Sequence, residues 1–507
     1  MFSKIFSAAL EAISASIIRV EADISDGLPV FDMVGLLSSE VREAKERVRV
    51  ALKNSGFNFP PRRITVNLSP ADIRKDGTAF DLPIAIAVLA AAGFVMPENA
   101  EKFVIIGELS LNGTVNAVNG VLPVVYAAQK SGFEYCMVPY ENRKEAAAID
   151  GIKLLAVKNL FEAVEAFHSP EALLYRPECE TLSFRKENSD FDLANLVGQF
   201  AAKRAIEVAA AGHHNILMSG APGAGKTMIA RCIPGILPEL TKEESLELSM
   251  VYSVAGLLKE DSALMTKRPF RAPHHTITTN TLVGGGTYPH PGEISLASKG
   301  VLFLDELPEF SRNTIEVLRQ PLETKEITIN RLSGNSVFPA DFMLVAAMNP
   351  CKCGFYPDTR KCSCSELQIN RYRSRISQPL LDRIDIYISI APVGVNDWFK
   401  TGKGESSEKV RKRVSLAREI QAERFKDCRF KTNSGMSTVQ VEEFCKLGPS
   451  ELKLMQSVFA KLELSARGYH RILKVARTIA DLAGSENIRE EHLIEAVNYR
   501  GMEVRRL

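Results

Sequence analysis

The chain carries no excess of charge of either sign: 63 Lys and Arg against 61 Asp and Glu leave a net charge of +2. A polyelectrolyte footprint is thereby excluded, so any nucleic-acid site has to be a local patch. Long apolar runs are missing too. The longest, Leu82 to Met96, is interrupted by Pro83 and Gly93, too short for a membrane span and suited to a buried helix. No export signal is legible, because Glu11 follows Lys4 inside what would be its apolar stretch. A cytoplasmic protein without a membrane partner is expected. Cysteine is sparse, and nine in 507 residues make no disulfide scaffold. No repeat of solenoid length is present either.

What is present is ordinary globular usage, 45% apolar and 24% charged, enough for several cores. At about 150 residues per domain the length predicts roughly three domains. Residues 1–168 alternate like half-buried strands at Ile17 to Ile24 and Arg63 to Leu68, with helical spacing over Glu40 to Leu52 and Asp81 to Ala92. Residues 169–192 read as a linker. Residues 193–393 show apolar runs beside glycine turns, the pattern of an α/β domain with a doubly wound parallel sheet. A second linker, 394–407, precedes a helical bundle over 408–507.

Gly220-Ala221-Pro222-Gly223-Ala224-Gly225-Lys226-Thr227 is a complete phosphate loop between a strand (Asn215 to Ser219) and a helix. Its glycines let backbone amides approach phosphates, Lys226 reaches the β and γ phosphates, and Thr227 offers magnesium an oxygen. ATP and Mg²⁺ are the implied cofactors. Val301 to Leu304 is an apolar strand that delivers Asp305 and Glu306 at its C-terminal end, one carboxylate for magnesium and one to polarise water. Met343 to Met348 similarly ends at Asn349, a polar group for orienting that water or, more plainly, a turn before Pro350. Arg383 either forms a local ion pair or reaches a neighbour's ATP site as a finger, which requires an oligomer.

These motifs, together with Phe270-Arg271-Ala272-Pro273-His274-His275, Gly284-Gly285-Gly286 and Glu293 to Gly300, resemble the magnesium-chelatase-like branch of the AAA+ superfamily. Within it the chain resembles the ComM/YifB competence family along essentially its whole length. The resemblance implies a homohexameric ring that uses ATP to drive branch migration of single-stranded and branched DNA. It also implies Lys226, Asp305, Glu306 and Asn349 in the ATP site, Arg383 as the finger, and Lys474, flanked by Arg471, as the second sensor where the family pattern has arginine. A hairpin read over Glu326 to Asp341, turning at Ser333-Gly334-Asn335, would enter the ring channel and touch DNA through Arg331. A solvated arginine is the plainer reading.

The first domain resembles the proteolytic domain of Lon-type proteases through Lys75-Asp76-Gly77 and Gly107-Glu108-Leu109-Ser110. Ala79 and Leu122 stand where those enzymes carry serine and lysine, so no such covalent catalysis is expected. Arg62, Arg63, Arg74 and Lys75 are read as solvated charge with a basic face as the alternative. Cys351, Cys353, Cys362 and Cys364 crowd into fourteen residues, compatible with a structural Zn²⁺. The scattered Cys136, Cys179, Cys232, Cys428 and Cys445 read as buried small side chains. His213, His214, His274, His275 and His290 read as polar contacts or solvated residues. A chelatase-type motor acting on a protein or metal-insertion partner is the alternative function. The Lon-like extension and the cysteine cluster are expected to set the chain apart from chelatase subunits.

Overall fold

The computed structural model describes residues 1–57, 62–95, 100–176, 191–258, 263–286, 289–331, 334–392, 404–462 and 464–500. The N-terminal unit is built on a seven-stranded mixed sheet. Its strands are β1 (Phe2–Glu11), β2 (Ser14–Ser25), β3 (Phe31–Val34), β4 (Arg63–Ser69), β5 (Phe103–Ile105), β8 (Tyr135–Pro139) and β9 (Lys153–Val157), in the order β3-β4-β2-β1-β5-β8-β9. A short hairpin, β6 (Glu108–Leu109) with β7 (Val115–Asn116), lies beside it. Around the sheet run α1 (Ser39–Asn54), α2 (Asp81–Ala91), α3 (Val121–Lys130) and α4 (Leu160–His168). All 11 residues of α2 are buried, which is why the longest apolar run has no polar face. Leu173 and Leu174 pack on this core, and Tyr175 N donates to Leu154 O at 2.8 Å, so the unit's packing extends to Tyr175.

The second unit carries five parallel strands in the order β11-β14-β17-β10-β18. They are β10 (Ile216–Gly220), β11 (Phe270–Arg271), β14 (Val301–Leu304), β17 (Met343–Met348) and β18 (Ile386–Ile390). All six residues of β17 are buried, as expected for a strand covered on both faces. Helices α5 (Phe200–Gly212) and α6 (Lys226–Ile236) lie on one face, where Ile216 and Met218 join their core, while Leu217 belongs to a separate core on the other. Helix α7 (Lys242–Val254) follows α6. Two hairpins project from this frame: β12 (Gly284–Gly285) with β13 (His290–Pro291), and β15 (Glu326–Arg331) with β16 (Gly334–Pro339). The second corrects the expected turn. Asn335 pairs with Asn330 and Gly334 with Arg331, the last pair of the ladder, so these two belong to the strand, while Ser333 lies outside the described residues.

The C-terminal unit is helical: α8 (Ser407–Arg424), α9 (Thr438–Phe444), α10 (Pro449–Leu462), α11 (Ala466–Leu482) and α12 (Glu490–Asn498). Its core is continuous with that of α5 and α6.

Two expectations about isolated side chains are corrected. Lys75 is no surface charge: it is fully buried, and its ammonium donates to the carbonyls of Pro70 and Ile73. Arg62, Arg63 and Arg74 pair with Asp26, Asp32 and Asp76. Cys136, Cys232 and Cys445 are buried, whereas Cys428 is half-buried and Cys179 lies outside the described residues. Among the described residues no helix is long and apolar enough to cross a membrane.

Candidate active site

Between β10 and α6 the chain turns through Gly223 and Gly225, at φ +75° and +90°. Glycine adopts these left-handed conformations without steric cost, and Gly225 leaves the free amides of the α6 N-terminus facing the turn. Lys226, the first residue of that helix, is 8% exposed. Its ammonium donates to Gly220 O at 2.6 Å and to Asn349 Oδ1 at 3.0 Å. Burial pushes its pKa down, while Asp305 and Glu306 oppose the shift. Thr227 Oγ1 donates to Asp305 Oδ2 at 3.0 Å, placing a hydroxyl and a carboxylate side by side as a hard divalent cation requires. Three strand ends thus converge as parallel α/β topology dictates.

Glu306 has φ +52°, a left-handed conformation for a residue with a side chain, at a cost on the order of 1 kcal/mol. Its amide donates to Asp305 Oδ1 at 2.9 Å, and its carboxylate is half exposed. His275 Nδ1 lies 3.6 Å from Glu306 Oε2, and the rings of His274 and His275 lie with centroids 4.1 Å apart, tilted by 35°.

The cations expected to complete the site lie elsewhere. Arg383, Arg471 and Lys474 line one cleft of about 220 Å³ with Glu323 and Arg467, and no residue of the phosphate turn borders it. Arg383 is held there by Glu323, 2.5 Å from Nη2, and by donation to Pro379 O and Arg319 O. Arg471 pairs with buried Asp385. Against the effect of burial, Arg471, His214 and Lys474 hold that carboxyl well below the usual range. Lys474 donates to Ser434 O at 3.0 Å, and burial pushes its ammonium down to about 8. The structure therefore brings Lys226, Thr227, Asp305, Glu306 and Asn349 together, and gathers Arg383, Arg471 and Lys474 separately. Arg331 ends β15 opposite Gly334, and its side chain lies outside the described residues.

Several residues in these sites escape reading by motif. Gln199, at φ +55°, precedes α5 and donates to Ala391 O at 2.6 Å and Ala224 O at 3.4 Å, tying the phosphate turn to the exit of β18. Its only local signal is Gly198 before a helix, which reads as an ordinary cap. His214 is fully buried, with Nε2 2.8 Å from Thr478 Oγ1 of α11 and Nδ1 3.4 Å from Asp385. It joins the sheet to the helical unit, and the partners are too far apart in the chain for spacing to reveal them.

The four clustered cysteines do converge. Sγ atoms of Cys351, Cys353 and Cys362 lie 3.3–3.7 Å apart, and all four, with Cys364, are within 4.8 Å of one another. A tetrahedral ion with bonds near ~2.3 Å needs sulfurs about 3.8 Å apart, so the donor set fits and could hold a metal ion. The Phe355 amide and the Cys351 thiol push the Cys353 thiol down to about 6, while, against backbone hydrogen bonds, burial and the neighbouring thiols push Cys362 up to about 12 and raise Cys364, so one thiolate is shared among hydrogen-bonded thiols.

Three family models match the chain in succession. One described as subunit ChlI of Mg-chelatase matches residues 20–142, one described as magnesium chelatase, subunit ChlI, matches 192–397, and its C-terminal counterpart matches 404–500. The N-terminal extension therefore does not set the chain apart from families so described. Competence protein ComM of Haemophilus influenzae is 44% identical over 504 residues, 98% of this chain and 97% of that protein. Uncharacterized protein YifB of Escherichia coli is 42% identical over 97% of this chain and 95% of its own length. Lon protease 2 of Bacillus subtilis is 27% identical over 191 residues, 34% of this chain and 33% of that protein.

Proposed function

The chain belongs to the ComM/YifB family of magnesium-chelatase-like AAA+ ATPases, and from that premise we propose that it is a ring-forming ATPase, a homohexamer, that drives branch migration of recombining DNA in competence. One observation carries the hydrolytic part: Lys226 and Asn349 are bonded to each other, Thr227 is bonded to Asp305, and Glu306 adjoins that pair.

Incoming phosphates accept from the turn amides and from Lys226, which exchanges the Gly220 carbonyl for a γ-phosphate oxygen. Thr227 and Asp305 would hold Mg²⁺, which would supply positive charge to offset that developing on the transferred phosphoryl group. Glu306 accepts a proton from the attacking water while Asn349 orients it. Arg383 is poised in a cleft apart from its own phosphate turn, which suits a finger for the adjacent subunit. Arg471 and Lys474 share that cleft and would act across the same boundary. Zn²⁺ held by the four cysteines would staple the loop without an open coordination position. Arg331, near the tip of the β15–β16 hairpin, is the DNA contact in this reading.

The decisive experiment is ATP-dependent strand exchange on a fluorescent three-stranded junction, comparing wild type with Glu306→Gln at equal DNA occupancy. Movement by wild type alone supports the motor. If DNA neither moves nor stimulates ATP turnover, the second reading, a chelatase-type motor on a protein or metal-insertion partner, takes its place; the three chelatase matches favour it.

A further inference from the structure

The cysteine loop is physically continuous with the phosphate turn. Asn349 follows β17, and buried Cys351 comes two residues later. Gly354, at φ +87°, then brings the loop backbone against the turn: a Cβ built there would lie 2.5 Å from Pro222 Cδ and 3.9 Å from Asn349 Cγ. Real Cβ atoms do not approach that closely, so the contact is set by the path of the loop. Arg373 clamps the start of this path, donating through Nη2 to Pro350 O at 3.1 Å and lying 5.3 Å from the Tyr356 ring.

Behind the contact the packing is open. A cavity of about 720 Å³ separates the loop from the ends of β10 and β18, with Pro222, Phe355, Tyr356, Tyr387 and Ile390 among its walls. A loop pressed on the phosphate turn from one side and backed by a void depends on internal bracing for its position. Its own backbone supplies only short-range turns: Gly354 N donates to Cys351 O at 3.0 Å, Asp358 N to Phe355 O at 2.9 Å, and Lys361 N and Cys362 N to Asp358 O. Each of these bonds spans four residues or fewer, and the sulfur cluster is what ties Cys351 and Cys353 to Cys362 and Cys364. Thiols are weak donors and acceptors, so the S···S contacts of 3.3–3.7 Å brace the loop only weakly without a metal ion among them.

We propose that metal bound by Cys351, Cys353, Cys362 and Cys364 is an allosteric ligand of the ATP site: occupancy fixes the Gly354–Pro222 contact and thereby the phosphate turn and Asn349, so that nucleotide affinity depends on the metal. This inference rests on the ATP-site reading above. Linkage makes it reciprocal, so nucleotide tightens metal binding by the same factor.

The test uses full-length protein stripped of metal with a chelator and titrated with Zn²⁺. Affinity for a fluorescent ADP analogue and zinc affinity against a competing chelator are both read. The expected result is nucleotide binding at least tenfold weaker without zinc, recovery on adding zinc back, and zinc affinity raised equally by nucleotide. Cys364→Ser behaves as the stripped protein does. Gly354→Ala retains zinc yet binds nucleotide weakly, which separates the contact from loss of the metal-bound fold. Two results overturn the proposal: stripped protein of unchanged far-ultraviolet dichroism binding nucleotide as the loaded protein does, or full nucleotide affinity in protein that takes up no zinc at saturation. Zinc-loaded protein that binds no nucleotide at all would instead remove the ATP-site reading, and this inference with it.

Discussion

Burial holds the Lys474 ammonium near a pKa of about 8 although Asp385 opposes the shift, so the side chain is cationic below that pH and neutral above it. A cation needed at the neighbouring phosphates is then lost as pH rises through about 8, and ATP turnover falls with it. Lys474→Arg, protonated throughout, should remove that alkaline limb in a pH series of steady-state phosphate release. Stability moves the opposite way: the unfolded chain holds this proton more tightly, so the fold gains stability as pH rises from about 8 towards the ordinary lysine value. Arg383 has its own signature. Arg383→Ala should lower turnover by roughly 10³-fold or more while leaving ATP binding intact. Mixing it with Lys226→Ala subunits should restore part of the turnover, because each mutant supplies what the other's interface lacks. Mixed rings that stay inactive would place the arginine's role within its own subunit, where Glu323 already holds it.

At the scale of elements, the β15–β16 hairpin is anchored at its base. Ile327, Ile329 and Phe338 are buried, and Asp341 just beyond β16 pairs with Lys299, Lys325 and His213. Burial opposes ionisation of Asp341, but these three partners hold its carboxyl well below the ordinary range. Such a base lets the tip bear load. Arg331→Ala should therefore weaken DNA binding about uniformly across sequences and reduce the salt slope of affinity by about 1, measured by fluorescence anisotropy at several ionic strengths. Unchanged affinity and slope would remove the hairpin from the DNA interface. The hairpin's existence was legible from alternation in Ile327-Thr328-Ile329. Its turn was not, because Gly334 and Asn335 are turn residues by type yet are paired in the ladder.

At the scale of the molecule, the N-terminal unit is joined to the ATPase unit through helix α7. Ala79 and Leu122, the positions lacking a protease dyad, lie in an apolar cluster with Leu246, Met250 and Leu264. Gly120 N donates to Ser253 O at 3.1 Å, and Ser253 Oγ bonds Glu145, which also accepts from Leu122 N. Met250→Asp buries a lone charge at this junction and should cost about 3 kcal/mol or more. Limited proteolysis would then release a fragment ending near Tyr175, whereas an intact digestion pattern would show that the units stay together without the cluster. The sequence alone determined what local spacing encodes: the phosphate-loop pattern, because its residues are contiguous between β10 and α6; the acids closing β14; the strand ending at Asn349; and four cysteines close enough in the chain to meet. Tertiary structure decided what depends on distant partners. It buried Lys75, put Gln199 across the turn, gathered Arg383, Arg471 and Lys474 in a separate cleft, and set Gly354 against Pro222. Apart from the Lys75 ammonium, whose two carbonyl partners lie within five residues, those contacts join residues tens to hundreds of positions apart, and only the packing of strands and helices brings them within reach.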